Sequence, residues 1–126
     1  MNTMPAIMVS TLDRERLYAL LDNIQEESDQ AERLYEELDR AQFIDPKEMP
    51  DDIVTLGCRL RFRNENTGKE HERVLTLPEQ ARNYNDAISI LSPAGAALLG
   101  LKVGDEIKWP LGDGQLRLRL LDVIRD

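Results

Sequence analysis

The stretch Ser92-Pro93-Ala94-Gly95-Ala96-Ala97-Leu98-Leu99-Gly100 carries the end signals of a short helix within itself. Ser92 can accept from an unpaired first-turn amide, and Pro93 suits a first helical position, where no amide hydrogen is needed. Gly100 can turn left-handed just past the end. No charge occurs from Pro93 to Leu101, so this helix must be covered, yet it is too short to span a bilayer. The cover has to come from strands before and after it. That requirement narrows the fold to a sheet with one buried helix.

The strands are legible by their period of two. From Asp52, the residues Val54, Leu56, Cys58, Leu60 and Phe62 alternate with Thr55, Gly57, Arg59, Arg61 and Arg63, the pattern of a half-buried antiparallel strand. Asn64-Glu65-Asn66-Thr67-Gly68 turns it, and Lys69 to Leu77 returns as a second strand closed by Pro78. Ala87 to Leu91 is a third strand leading into the helix, and Asp105 to Trp109 a fourth. Gly112-Asp113-Gly114 turns into a fifth, Gln115 to Ile124. Leu116, Leu118 and Leu120 point inward, while Leu121 followed by Val123 predicts a shift of register or a bulge near the end. The expected fold is α+β, an antiparallel sheet with one short helix. Arg59, Arg61, Arg63 and Arg73 are assigned to its open face as a solvated basic strip with Glu70 and Glu72 opposite.

Upstream the period is helical. Ser10 reads as an N-cap with Asp13 in the capping-box position, and Leu17, Leu20, Leu21 and Ile24 form one apolar stripe. A second stripe runs through Ala31, Leu34, Tyr35, Leu38 and Ala41, with Glu36 and Arg40 spaced for an outer ion pair. Two amphipathic helices joined by a few polar residues make a hairpin whose arms extend roughly 18–20 Å. Leu17, Leu21, Leu34 and Leu38 could pair within one chain or between two. Pro46 and Pro50 make residues 45–51 a semi-rigid linker. The domains are therefore 1–44, a helical hairpin; 45–51, the linker; and 52–126, the sheet.

Composition excludes more than it identifies. Residues 1–50 hold twelve acidic against five basic side chains, which accounts for −7 of the net −8. Phosphate binding needs clustered positive charge, so direct sequence-specific nucleic-acid binding is not expected. One cysteine, Cys58, allows no internal disulfide, and neither a signal nor a membrane span is read, which suits the cytoplasm. For catalysis, His71 lies between Glu70 and Glu72 without an evident partner, and Cys58 alternates with apolar residues. No zinc cluster or phosphate-cradling loop is present. No catalytic residue, metal site or cofactor is assigned. The chain reads as a non-enzyme.

Several blocks together carry a family likeness: Glu37-Leu38-Asp39-Arg40-Ala41, Glu48-Met49-Pro50, Asp52-Ile53-Val54-Thr55, Arg61-Phe62-Arg63-Asn64, and Gly95 to Leu101 followed by Val103-Gly104-Asp105. In this order and spacing they resemble the C-terminal domain of the GreA/GreB transcript cleavage factors. The fuller match is to the Rnk branch of that superfamily, the regulators of nucleoside diphosphate kinase. The resemblance implies an FKBP-like sheet domain and a short antiparallel coiled coil in the hairpin. It implies bacterial RNA polymerase as the partner, with Ser92, Pro93, Ala94 and Gly95 as contact residues beside the secondary channel. Leu91 departs from the polar or acidic residue that the cleavage factors carry before Ser-Pro. It also marks the acidic hairpin tip, Asp22, Glu26, Glu27 and Asp29 with Glu32. In the cleavage factors such residues enter the channel and help hold a catalytic magnesium ion. The arms here are shorter, and the tip motif is not matched residue by residue. The implied role is to occupy the channel entrance, compete with Gre-type factors and affect nucleoside diphosphate kinase indirectly. The rivals are a true cleavage factor and a peptidyl-prolyl isomerase. The latter would need an aromatic pocket, for which only Phe62, Tyr84 and Trp109 are available.

Overall fold

The computed structural model describes residues 5–23, 29–111 and 113–124. In chain order its elements are β1 (Met8–Ser10), α1 (Thr11–Asp22), α2 (Asp29–Arg40), β2 (Gln42–Ile44), β3 (Arg59–Asn64), β4 (Lys69–Thr76), β5 (Ala87–Ser89), α3 (Pro93–Leu98), β6 (Glu106–Leu111) and β7 (Gly114–Ile124). Two 3-10 turns, Pro46–Glu48 and Pro78–Asn83, complete it. The architecture is mixed α+β, with a five-stranded sheet in the order β5-β4-β3-β7-β6.

The sheet differs from the all-antiparallel expectation at one edge. β5 runs parallel to β4, with Val74, Leu75 and Thr76 opposite Ala87, Ile88 and Ser89. Pro78 cannot continue a ladder, and the 3-10 turn after it returns the chain to the start of the paired stretch. β3 also begins at Arg59, later than the alternation from Asp52 predicts. A turn intervenes, in which the Cys58 amide donates to the Thr55 carbonyl at 3.3 Å and the Gly57 amide to Leu75 at 2.7 Å. The predicted bulge is present: Arg61 faces Asp122 and Phe62 faces Leu120, leaving Leu121 as the extra residue.

α3 lies against β5, β6 and β7. Ala96, Ala97 and Leu98 are fully buried there, in one core with Leu60, Leu75, Ile107, Trp109, Leu118 and Leu120. Each fully buried leucine contributes about 1.5–3 kcal/mol. Leu17, Leu21, Leu34 and Leu38 are also buried without a second chain, and they join the same cluster. That favours pairing within one chain. α1 and α2 touch through Tyr18 and Tyr35, whose ring centroids are 6.1 Å apart.

An N-terminal arm ties these layers together. β1 pairs in parallel with β2, a three-residue strand too short to show a period. The Gln42 amide donates to the Ile7 carbonyl at 3.0 Å, and the Met8 amide to the Gly100 carbonyl at 3.2 Å. Gly100 has φ +79°, and a Cβ there would stand 2.7 Å from the Ile7 Cβ. Only glycine permits both the turn and the close approach. Arg40 supports the arm as well. It pairs with Glu37 and not with Glu36: Nε donates to Oε1 at 2.9 Å and Nη2 to Oε2 at 2.6 Å, while Nη1 donates to the Pro5 carbonyl. Glu37 lies on the buried side of α2 and Glu36 on the exposed side, so the partner follows the core and not the i, i+4 spacing.

Ser10 caps α1, accepting from the Asp13 amide at 3.0 Å. The Asp13 carboxylate does more than serve the cap. It reaches across to the Leu56 amide, 3.0 Å away. Burial pushes its carboxyl above the usual 3.8, opposed by the Leu56 amide, Arg16 and Ser10. The folded state thus favours the protonated form. Its contribution to stability is fully present below pH about 3.8 and fades as pH rises through the folded-state pKa. Urea unfolding of an Asp13→Asn protein between about pH 3.5 and 7 should therefore gain on the wild type as pH rises. A pH-independent difference would contradict this account of Asp13.

Candidate functional site

Four residues singled out from the sequence, Ser92, Pro93, Ala94 and Gly95, meet at the turn from β5 into α3. Ser92 Oγ accepts from the Gly95 amide at 3.0 Å and donates to the Ser89 carbonyl at 2.7 Å. The Ser92 amide donates to that same carbonyl at 3.0 Å. Pro93 and Ala94 stay half-exposed at the crest, and Gly95 is buried beneath them. A Cβ on Gly95 would lie 2.0 Å from the Ser89 carbonyl oxygen, so the helix can sit this low only without a side chain there. The result is an uncharged knuckle at the edge of the sheet, held by these hydrogen bonds.

Ser89 was read only as a strand residue, and its central part in this turn was missed. Its Oγ accepts from the Leu91 amide at 3.1 Å while its carbonyl accepts twice from Ser92. A serine three places before a helix cap is the sole trace of this in the sequence. Leu91, the departure from the cleavage-factor pattern, is half-buried and packs against the core.

The acidic tip is only partly placed. Asp22 is exposed at the end of α1, where its Oδ1 accepts from the Tyr35 hydroxyl at 3.4 Å. Glu32 is exposed on α2. Glu26, Glu27 and the side chain of Asp29 lie outside the described residues.

The remaining candidates resolve into structural contacts. Arg59 pairs with Asp86 and, at 3.4 Å, with Glu72; the Arg59 guanidinium holds the Asp86 carboxyl below its usual 3.8. Arg63 reaches Glu65 and Glu70, each at 3.5 Å. Arg73 does not share their face. It stands opposite Leu60 in the β3–β4 register and donates to the Glu72 carbonyl at 2.7 Å. His71 is half-buried against Phe62, with ring centroids 5.3 Å apart. Cys58 and exposed Tyr84 line a cleft of about 390 Å³ with Leu56, Arg59 and Ile124. Phe62 and Trp109 are buried in the core instead, so the three aromatics do not line this cleft together.

Comparison with known proteins places the chain in a family. A model of the C-terminal domain of the transcription elongation factors GreA and GreB matches residues 49–125. The chain belongs to the GreA/GreB family. A second model, the Rnk N-terminus, matches residues 5–44. The chain is 43% identical to the "Regulator of nucleoside diphosphate kinase" of Escherichia coli K12 over 111 residues, which are 87% of this chain and 82% of that one. It is 37% identical to the transcription elongation factor GreA of Thermotoga neapolitana over 68% of this chain, and spans 54% of that relative's length. A solved structure, the "Prokaryotic transcription elongation factor GreA/GreB from Nitrosomonas europaea", superposes with a TM-score of 0.75 at 42% identity, covering 96% of this chain and 99% of that one. These GreA/GreB-family relatives are named as regulators and elongation factors. Among the described residues no helix is long and apolar enough to cross a membrane.

Proposed function

We propose that this GreA/GreB-family chain is a non-enzymatic, cytoplasmic transcription regulator that binds RNA polymerase beside the secondary channel and competes there with Gre-type factors. In this reading residues 52–126 form an FKBP-like docking domain and 45–51 a linker. Residues 1–44 are a short coiled-coil hairpin whose acidic end, Asp22 with Glu26, Glu27 and Asp29, faces the channel mouth. An effect on nucleoside diphosphate kinase follows indirectly from altered transcription.

The observation that supports this reading best is the knuckle. Ser92, Pro93, Ala94 and Gly95 are held by the fold before any partner arrives, and preorganisation of this kind lowers the cost of binding. The reach of the hairpin supports regulation over cleavage. α1 and α2 have 12 residues each, about 18 Å of helix.

The test is binding to purified core RNA polymerase, followed by addition of the same protein to stalled elongation complexes. The expected outcome is saturable binding with no shortening of the transcript. An Ala94→Asp protein, which keeps the Ser92 cap, should bind at least about tenfold more weakly. Shortened transcripts would favour the cleavage-factor reading, and absence of binding would remove the proposal.

A further inference from the structure

Three hydrogen bonds converge on one residue that nothing so far connects with function. Ser89 Oγ accepts from the Leu91 amide at 3.1 Å, and the Ser89 carbonyl accepts from the Ser92 amide at 3.0 Å and from Ser92 Oγ at 2.7 Å. The same carbonyl is the atom against which Gly95 is seated. Ser89 is itself fixed from behind, as the last residue of β5 opposite Thr76 of β4. Ser89 thus couples the edge of the sheet to the crest of the turn.

We infer that Ser89 is a positioning residue for partner binding, its hydroxyl holding Leu91 so that Pro93 and Ala94 are presented as one rigid surface. The inference rests on the docking reading of that turn. Ser89 touches no partner in this account. The carbonyl contribution comes from the backbone and survives any substitution, so the side chain's own share is the bond to the Leu91 amide. Ile90 stays held by its own amide, which donates to the Thr76 carbonyl at 2.9 Å, but without the Ser89 bond the Leu91 amide loses its anchor, and ordering Leu91 again falls to the binding step. The crest is uncharged, which suits a partner surface recognised by shape and apolar contact.

The experiment compares wild-type, Ser89→Ala and Ser89→Thr proteins by titration onto core RNA polymerase, with circular dichroism to confirm folding and hydrogen exchange read at the Leu91 amide. Ser89→Ala should bind about fivefold to tenfold more weakly, the loss expected for one preorganising hydrogen bond. Its fold should be retained, and its Leu91 amide should exchange faster. Ser89→Thr, which keeps the hydroxyl, should restore both. Equal binding by all three proteins overturns the inference, as does equal weakening by alanine and threonine or global unfolding of Ser89→Ala. If the wild type does not bind polymerase at all, the docking reading falls. Leu91 exchange then still decides the positioning claim: faster exchange in Ser89→Ala alone supports it, and unchanged exchange overturns it.

Discussion

A Gly95→Ala protein should be less stable than the wild type by about 3 kcal/mol, the upper range for overpacking a close-packed site. Helix propensity alone predicts the opposite. Alanine inside a helix is favoured over glycine by roughly 0.8–1 kcal/mol. The two effects compete, and geometry decides between them. The added methyl would lie 2.0 Å from the Ser89 carbonyl oxygen, 2.8 Å from its carbon and 3.0 Å from Ser92 Oγ. Two of those atoms are backbone in a strand paired to β4, so relief requires lifting α3 off the sheet or breaking the edge pairing. Ala94→Gly, one position away and half-exposed, is the control and should cost only about 1 kcal/mol. Urea unfolding of the two proteins checks the prediction, and a Gly95→Ala protein as stable as the wild type would refute the close approach.

The second large effect is expected at Arg40. Its partner Glu37 has a side chain 4% exposed, while Arg40 is 26% exposed. Removing one member of a buried pair leaves the other charge stranded, which typically costs several kcal/mol. Because Arg40 is partly hydrated, the lower end applies, and Arg40→Ala should lose about 2–3 kcal/mol. The same substitution frees the Pro5 carbonyl. Proteolysis at the N-terminal arm should therefore accelerate along with the loss of stability. Replacing both members, Glu37→Leu with Arg40→Leu, should recover much of the loss, since a buried pair is often worth no more than its apolar substitute. Simple additivity of the single substitutions in a double-mutant cycle would show that the pair is not coupled.

These two sites show what sequence reasoning reaches and where it stops. The ends of α3 were legible because Ser92, Pro93 and Gly100 act locally, each on its own backbone. The bulge at Leu121 was legible because two successive inward residues cannot both fit a period of two. The buried faces of α1 and α2 followed from leucines at helical spacing. What escaped depends on contacts distant in sequence. β2 is only three residues long and is defined by β1, thirty-odd positions earlier. The parallel direction of β5 is set by how the 3-10 turn after Pro78 returns, and no residue of β5 encodes it. Arg40 has acidic neighbours at both spacings, and the choice of Glu37 reflects which side of α2 is covered. Arg73 was placed with Arg59, Arg61 and Arg63 by residue type, but the register of β4 puts it opposite Leu60.

The candidate site divides in the same way. The knuckle residues could be named from the sequence because capping chemistry and the family blocks coincide on them. Ser89 could not, because its role arises from a carbonyl and a hydroxyl meeting a turn whose shape the sequence does not declare. Asp13 lies between these cases. Its place in the capping box was predicted, while its bond to Leu56, forty-three residues away, required the fold.

The most direct test of the central claim is displacement of a labelled GreA-type factor from core RNA polymerase. Increasing amounts of this protein should release the factor completely, and a folded Pro93→Ala, Ala94→Asp protein should need at least about tenfold more to do so. A factor that stays bound at saturating protein, or release by wild type and variant at the same concentration, would contradict docking through the Ser92 turn.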